Sequence, residues 1–163
     1  MRKICISLVS LGLLLVISGA ASAANTATQT ITFEVTAINE MSVSGNPAAL
    51  TINSATAGSG PSPVIDSTTT YNITTNETTK KITGQITTGG DMPANTTLEA
   101  NLTAPTGGSS TGYTSLSTTA ADLVTGISTL NESSKTIAYR FSATMAAGIL
   151  ASDTRVVTLT LSN

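Results

Sequence analysis

The stretch Thr30-Ile31-Thr32-Phe33-Glu34-Val35-Thr36-Ala37 decides the fold class. Its apolar side chains alternate with threonine and glutamate, and this period of two is typical of a half-buried β-strand. Threonine is β-branched and also favours the pleated surface of a sheet. The stretch therefore predicts a strand with one apolar face and one polar face.

The same alternation returns along the rest of the chain, in residues 41–44, 50–52, 71–74, 81–87, 98–104, 137–143 and 157–162. Segments rich in glycine, proline and asparagine separate these windows and predict turns. Only residues 119–129 indicate a short helical turn. Strands with one apolar face must bury it against a second sheet. We therefore predict an all-β protein, an antiparallel immunoglobulin-like β-sandwich of about seven to nine strands. A β-solenoid is the alternative, but no short repeat supports it.

The first residues have the pattern of a secretory signal peptide. Arg2 and Lys3 precede an apolar run from residue 4 to residue 17, and small residues follow up to Ala23. This is the order of a signal peptide with a cleavage site. We predict cleavage after Ala23, with Ala24 as the alternative, so residues 1–23 are the signal and residues 24–163 form a single β-sandwich domain. An N-terminal membrane anchor is the alternative, but the apolar run is shorter than the roughly 20 residues of a spanning helix. No membrane insertion is expected after signal removal.

The composition excludes several classes of function. The chain has 163 residues, no histidine, no tryptophan and one cysteine, and only 10% of its residues are charged. With 7 Lys+Arg against 9 Asp+Glu, no basic surface is available for nucleic acid. The single cysteine, Cys5, lies in the signal segment, so a disulfide framework is excluded. Without imidazole the usual general base is missing, and we predict that the protein is not an enzyme and needs no cofactor.

The acidic residues suggest little chemistry. Nine carboxylates are scattered along the chain, mostly in turns or on polar strand faces. Paired carboxylates for glycoside hydrolysis are therefore not indicated. Asp66 with Ser67, or Asp91 with its loop carbonyls, is a weak candidate for calcium, but no close acidic run supports a metal site.

Three further features have a possible function. An intramolecular Lys–Asn isopeptide bond is conceivable in a cysteine-free domain, from Lys80, Lys81 or Lys135, but the sequence cannot place an asparagine and a carboxylate beside one of them. Tyr113 lies in a glycine-rich loop and is a possible ligand contact. Sequons for N-glycosylation occur at Asn72, Asn76, Asn95, Asn101 and Asn131.

The chain resembles the cysteine-free major pilins of the alternate chaperone–usher class, the colonisation-factor type of enterobacterial fimbriae. Four segments carry the resemblance. Residues 30–37 are similar to the N-terminal donor strand of these pilins, residues 75–82 (TNETTKKI) to a mid-domain stretch, residues 116–121 (LSTTAA) to a later segment, and Ala147-Gly148 with residues 156–161 to the closing strand.

The resemblance implies an immunoglobulin-like sandwich that lacks one strand. A periplasmic chaperone fills the gap first, and the N-terminal strand of the next subunit then replaces it, at an outer-membrane usher. Ile31, Phe33, Val35 and Ala37 would be the side chains that enter the groove.

Two functions follow as expectations. The first is a structural subunit of an extracellular fibre or surface assembly, built from copies of the chain by strand donation, secreted and held at the cell surface. The second is a monomeric secreted module that binds glycan or a host surface, with Tyr113 as its contact. In both cases strand addition or surface recognition, rather than catalysis, is the expected activity.

Overall fold

The computed structural model describes residues 25–163; the predicted signal peptide, residues 1–23, lies outside the described residues. The described part falls into two units, one ending at Glu34 and one spanning Val35–Asn163. The strands of the second unit are β1 (Asn39–Val43), β2 (Val64–Thr75), β3 (Lys80–Thr88), β4 (Thr96–Leu102), β5 (Ser109–Ser110), β6 (Thr114–Ser115), β7 (Ala121–Ile127), β8 (Leu130–Ala143) and β9 (Val156–Ser162).

Two antiparallel sheets contain all of these strands. One has five strands in the order β1-β2-β8-β4-β6, and the other has four in the order β5-β7-β3-β9. A single 3₁₀ turn, Met145–Ala147, joins β8 to the loop before β9. The predicted all-β class and the antiparallel two-sheet arrangement are confirmed. No helix in residues 25–163 is long and apolar enough to cross a membrane.

Strand alternation produces the core between the sheets. Along β3, Ile82, Gly84 and Ile86 are buried, and the residues between them are partly exposed. The fully buried large side chains come from both sheets: Tyr71, Ile73, Ile82, Ile86, Leu102, Leu123, Val124, Ile127 and Ile137. Tyr71 brings a hydroxyl into this core and satisfies it by donating to the carbonyl oxygen of Thr103 at 2.7 Å. The core is therefore apolar, with its buried polar groups paired.

Gly84 in β3 is tightly enclosed by leucine side chains, two of them from its neighbouring strands β7 and β9. A Cβ placed on Gly84 would lie 2.7 Å from Cδ1 of Leu123, 3.1 Å from Cδ2 of Leu116 and 3.3 Å from Cδ2 of Leu159. Real Cβ atoms do not approach side chains at the first of these distances, so the leucines occupy the space that glycine leaves. Glycine here serves packing rather than a special backbone conformation.

The predicted helical turn in residues 119–129 is wrong, because β7 occupies Ala121–Ile127. Leu123, Val124 and Ile127 are buried, which breaks simple alternation. The cause is irregular pairing with β3: the register shifts on both sides of Ile82, and Gly126 has a φ of 71°. A β-bulge changes which residues share a face, so the sequence pattern does not show the strand.

Two predicted strand windows are not strands in the structure. Residues 50–52 lie in the connection between β1 and β2, and residues 30–37 belong to no strand. Alternation of apolar and polar residues indicates only that a stretch has two chemically different faces. To form a strand, the stretch also needs a neighbouring strand to which its backbone can hydrogen-bond. For residues 30–37 the described chain supplies no such neighbour.

Candidate functional site

An apolar groove opens between the two sheets along one side of the sandwich. β1 is the outermost strand of one sheet and β9 the outermost strand of the other. In the described part of the chain no strand pairs with the outer edge of either, so each presents unpaired backbone N–H and C=O groups. The groove between them has a volume of about 760 Å³.

The walls of the groove are apolar and continuous with the core. Met41, Leu50, Met92, Leu98, Val157 and Leu159 are only partly buried and pack against the core cluster. Tyr139 and Phe141 from β8 also line the groove. Because most of these side chains are only partly buried, covering them further would be favourable.

An ion pair lies at the Val156 end of the groove. Arg155 lies among the lining residues and forms an ion pair with Asp153, with 2.5 Å between Nη1 and Oδ2. Its Nε and Nη2 donate to the carbonyl oxygen of Asp91. The hydrogen bond from Arg155 holds the pKa of Asp153 below its usual range. The carboxylate of Asp153 is therefore ionised at neutral pH.

The four predicted donor residues are exposed. The exposed fractions are 77% for Ile31, 89% for Phe33 and 80% for Val35, and Ala37 is exposed as well. Ile31 and Phe33 belong to the unit ending at Glu34, and Val35 and Ala37 to the sandwich unit. Residues 30–37 are therefore an alternating apolar segment that no other part of the described chain covers.

Asn76 holds the base of this segment, and we call residues 36–38 the root. The Ile38 N–H donates to Oδ1 of Asn76 at 2.8 Å, and Nδ2 of Asn76 donates to the carbonyl oxygen of Thr36, also at 2.8 Å. The Asn76 N–H donates to the carbonyl oxygen of Ile38 at 3.2 Å. These bonds continue the β1–β2 ladder past the pair Asn39 and Thr75. In the sequence Asn76 is visible only as a sequon, because its partner lies 38 residues away.

Tyr113 does not stand as an open aromatic platform. The Cζ atom of Arg140 lies 4.1 Å from the centroid of the Tyr113 ring, in a cation–π contact. Arg140 also donates to both carboxylate oxygens of Glu99, at 2.6 and 2.8 Å, and this pairing raises its pKa. Tyr113 is half-buried, and one face of its ring is covered by a guanidinium that Glu99 holds in place.

The calcium candidates are engaged in local hydrogen bonds. Oδ1 of Asp66 accepts from both the N–H and the hydroxyl of Thr68, which lowers the pKa of Asp66. Oδ1 of Asp91 accepts from the N–H of Thr118 at 2.7 Å. Within residues 25–163 no three acidic, histidine or cysteine side chains lie together as a metal site. Asp66 therefore makes its hydrogen bonds within β2, and Asp91 joins two loops.

Comparison of the chain with protein-family models, curated proteins and solved structures finds no match. The groove and the exposed segment are therefore the features of the chain that bear on its function.

Proposed function

We propose that this protein is a structural subunit of an extracellular fibre or surface assembly, built by strand donation between copies. Residues 30–37 of one copy lie in the groove between β1 and β9 of the next. One observation supports this proposal most strongly. The same chain contains an apolar groove with two unpaired strand edges and an exposed segment with alternating apolar side chains. Strand addition to such edges is a general mode of peptide recognition.

The apolar contribution favours this association. Ile31, Phe33 and Val35 are almost fully exposed in the single chain. Burying each of them in the groove contributes about 1.5–3 kcal/mol. Each backbone hydrogen bond to a strand edge adds roughly 0.5–1.5 kcal/mol. Both contributions oppose the entropy cost of ordering the segment, and its polar face of threonine and glutamate stays in water.

The direction of the donated strand follows from the ends of the sandwich. The root lies beside Thr75, at the same end as the pair Lys81 and Ser162. Val156 pairs with Thr88 at the opposite end. For copies to stack head to tail, the donated strand must leave the groove at the Val156 end. It then runs antiparallel to β9.

The reverse direction would give a different assembly. A strand parallel to β9 would place the root end of one copy against the root end of the next. Two copies could then exchange segments and close as a dimer instead of growing. Fibre and closed dimer are therefore distinguishable by size, and the proposal commits to the fibre.

The proposal includes the topology, location and partners that the resemblance implies. The sandwich is immunoglobulin-like with one strand missing between β1 and β9. A periplasmic chaperone occupies the groove before assembly, and an outer-membrane usher is the site of exchange. The protein is secreted through its signal peptide, and no catalytic activity is assigned to it.

The test uses the mature protein isolated from producing cells. Unheated samples should give a ladder of SDS-resistant multimers on a gel and filaments in negative-stain electron microscopy. Phe33→Asp should give monomers, because an unpaired carboxylate in an apolar groove costs several kcal/mol. Thr32→Asp, on the opposite face of the same segment, should assemble like the wild type. A wild-type protein that stays monomeric, or forms only dimers, contradicts the proposal.

The monomeric binding module centred on Tyr113 remains the alternative function. Arg140 covers one face of that ring, so the geometry gives this alternative no specific support. The same preparation tests it, because a module would remain monomeric and bind glycan, and Tyr113→Ala would remove that binding.

A further inference from the structure

A lysine, an asparagine and a glutamate meet at the root end of the sandwich. Lys80 begins β3, Glu77 lies in the turn before it, and Asn163 directly follows β9. Nζ of Lys80 donates to Oδ1 of Asn163 and lies 2.6 Å from Oε2 of Glu77. The contact with Asn163 spans 83 residues of sequence. The sequence offers Lys80 as one of three candidate lysines but does not place Asn163 and Glu77 beside it.

Lys80 differs from the other lysines of the described chain in its burial. Its side chain is 9% exposed, whereas those of Lys81 and Lys135 are 35% and 25% exposed. Its strand partner is the fully buried Ile127. The amine of Lys80 is thus held at the edge of the core, with the amide and the carboxylate as its polar neighbours.

The backbone fixes the relative positions of the three groups. The pairing of Lys81 with Ser162 brings the next residue of the β9 chain, Asn163, beside Lys80. Glu77 is held by three contacts: its N–H donates to the hydroxyl of Thr75, its carbonyl oxygen accepts from the N–H of Thr129, and its carboxylate accepts from Nδ2 of Asn39. Because the fold holds the amine of Lys80 next to the amide of Asn163, a reaction between them is effectively unimolecular.

We propose that Lys80 and Asn163 form an intramolecular isopeptide bond, with Glu77 as the group that moves the protons. The Glu77 carboxylate takes a proton from the ammonium of Lys80. The free Nζ attacks Cγ of Asn163, forming the new C–N bond. The protonated Glu77 returns its proton to the side-chain nitrogen of Asn163, and the bond from Cγ to that nitrogen breaks. Ammonia leaves and carries away the remaining proton as ammonium, so no oxidant or other reagent is needed.

The hydrogen bonds from Lys80 and Asn39 hold the pKa of Glu77 below its usual range. The glutamate is therefore ionised at neutral pH and is available as the base.

The bond would fasten β9 to β3 beside the groove. β9 is an edge strand, and in the described chain β3 is its only strand partner. A covalent link at its end would stop β9 from peeling away, in a domain where a disulfide cannot form. This inference does not depend on the proposed function, because a monomeric module could carry the same link.

Intact-mass spectrometry of the mature protein under denaturing conditions tests the inference. Wild type should be lighter than its sequence by one ammonia, and a digest should contain one branched peptide joining Lys80 to Asn163. The matched controls are Lys80→Arg, which keeps the charge but cannot form the bond, and Glu77→Gln, which keeps the size but cannot accept the proton. Both should have the full sequence mass.

Two results would overturn the inference. One is a wild-type protein with the full mass after prolonged incubation at pH 9. The other is an ammonia deficit that persists in Lys80→Arg, because a succinimide at an asparagine also loses ammonia but does not need the lysine. Neither result bears on fibre assembly, which is measured separately.

Discussion

The side chain of Asn76 binds the backbone of Ile38 as a neighbouring strand would, accepting its N–H at 2.8 Å. The same amide donates to Thr36, so one side chain fixes both ends of the root. Residues 30–37, which precede Ile38, are exposed, so Asn76 holds the chain at the C-terminal end of this exposed segment.

Asn76→Ala should loosen the root while leaving the sandwich folded. Two side-chain hydrogen bonds are lost, each contributing about 0.5–1.5 kcal/mol, and both are exposed, so the loss should be at the low end. Hydrogen exchange at the Ile38 amide should become faster, and assembly should slow. Asn76→Asp keeps the acceptor for Ile38 and should protect that amide better than alanine does. Unchanged exchange in the alanine variant would show that the root is held by other contacts.

Gly84→Ala should destabilise the domain through overpacking. The new Cβ would meet Leu123 at 2.7 Å, with Leu116 and Leu159 close behind. Overpacking of this kind costs typically about 1–3 kcal/mol. Gly60→Ala is the control, since nothing lies within 4 Å of its Cβ position. Urea unfolding of unassembled protein measures both variants, and equal midpoints would contradict the packing described for β3.

Glu132 should make the fold sensitive to acid. Hydrogen bonds from Lys135 and Thr106 lower its pKa from 4.5 to about 2. A carboxyl with a depressed pKa in the folded state stabilises the fold above its unfolded pKa, and this stabilisation is lost as the pH falls from 4.5 towards 2. Thermal melting of wild type against Glu132→Gln should show a smaller acid-induced decrease in the variant. Between pH 6 and 8 the melting temperature should be nearly constant, because no histidine titrates there.

Tyr71 should limit stability at high pH. Burial raises its pKa from 10.0 to about 12. The neutral phenol is favoured in the folded state, so its contribution is intact below pH 10 and is lost as the pH rises towards 12. Tyr71→Phe removes the hydrogen bond to Thr103 and should cost about 1 kcal/mol at pH 7. Burial also raises the pKa of Tyr139, so ultraviolet titration of tyrosinate should show one fewer late-titrating group in the variant than in wild type; an equal number of late groups in both would contradict the burial of Tyr71.

Local alternation predicted much of the fold but not its pairing. The strand windows around Met41, Ile82, Ile137 and Leu159 are strands in the structure. β7 was missed because Gly126 and the irregular pairing with β3 disrupt its pattern.

The candidate site could be predicted only in part, for a physical reason. The alternation of residues 30–37 lies within one short stretch of sequence, so the sequence alone shows it. The groove depends on which strands end at the sheet edges, and this is set by pairings between residues far apart in sequence. The contact of Lys80 with Asn163 and the contact of Asn76 with Ile38 are of the same long-range kind.

The most direct test of the central claim is to fill the groove from outside. Mature protein carrying Phe33→Asp cannot donate its own segment but keeps an empty groove. A synthetic peptide of residues 28–37 should bind it and raise its melting temperature; at a peptide concentration of 100 times Kd the stabilisation is about 2.7 kcal/mol, or roughly 5–10 °C for a domain of this size. The peptide with Thr32→Asp should act like the wild-type peptide, and the peptide with Phe33→Asp should have no effect. An unchanged melting temperature with the wild-type peptide, or an equal rise with both variant peptides, would contradict strand donation.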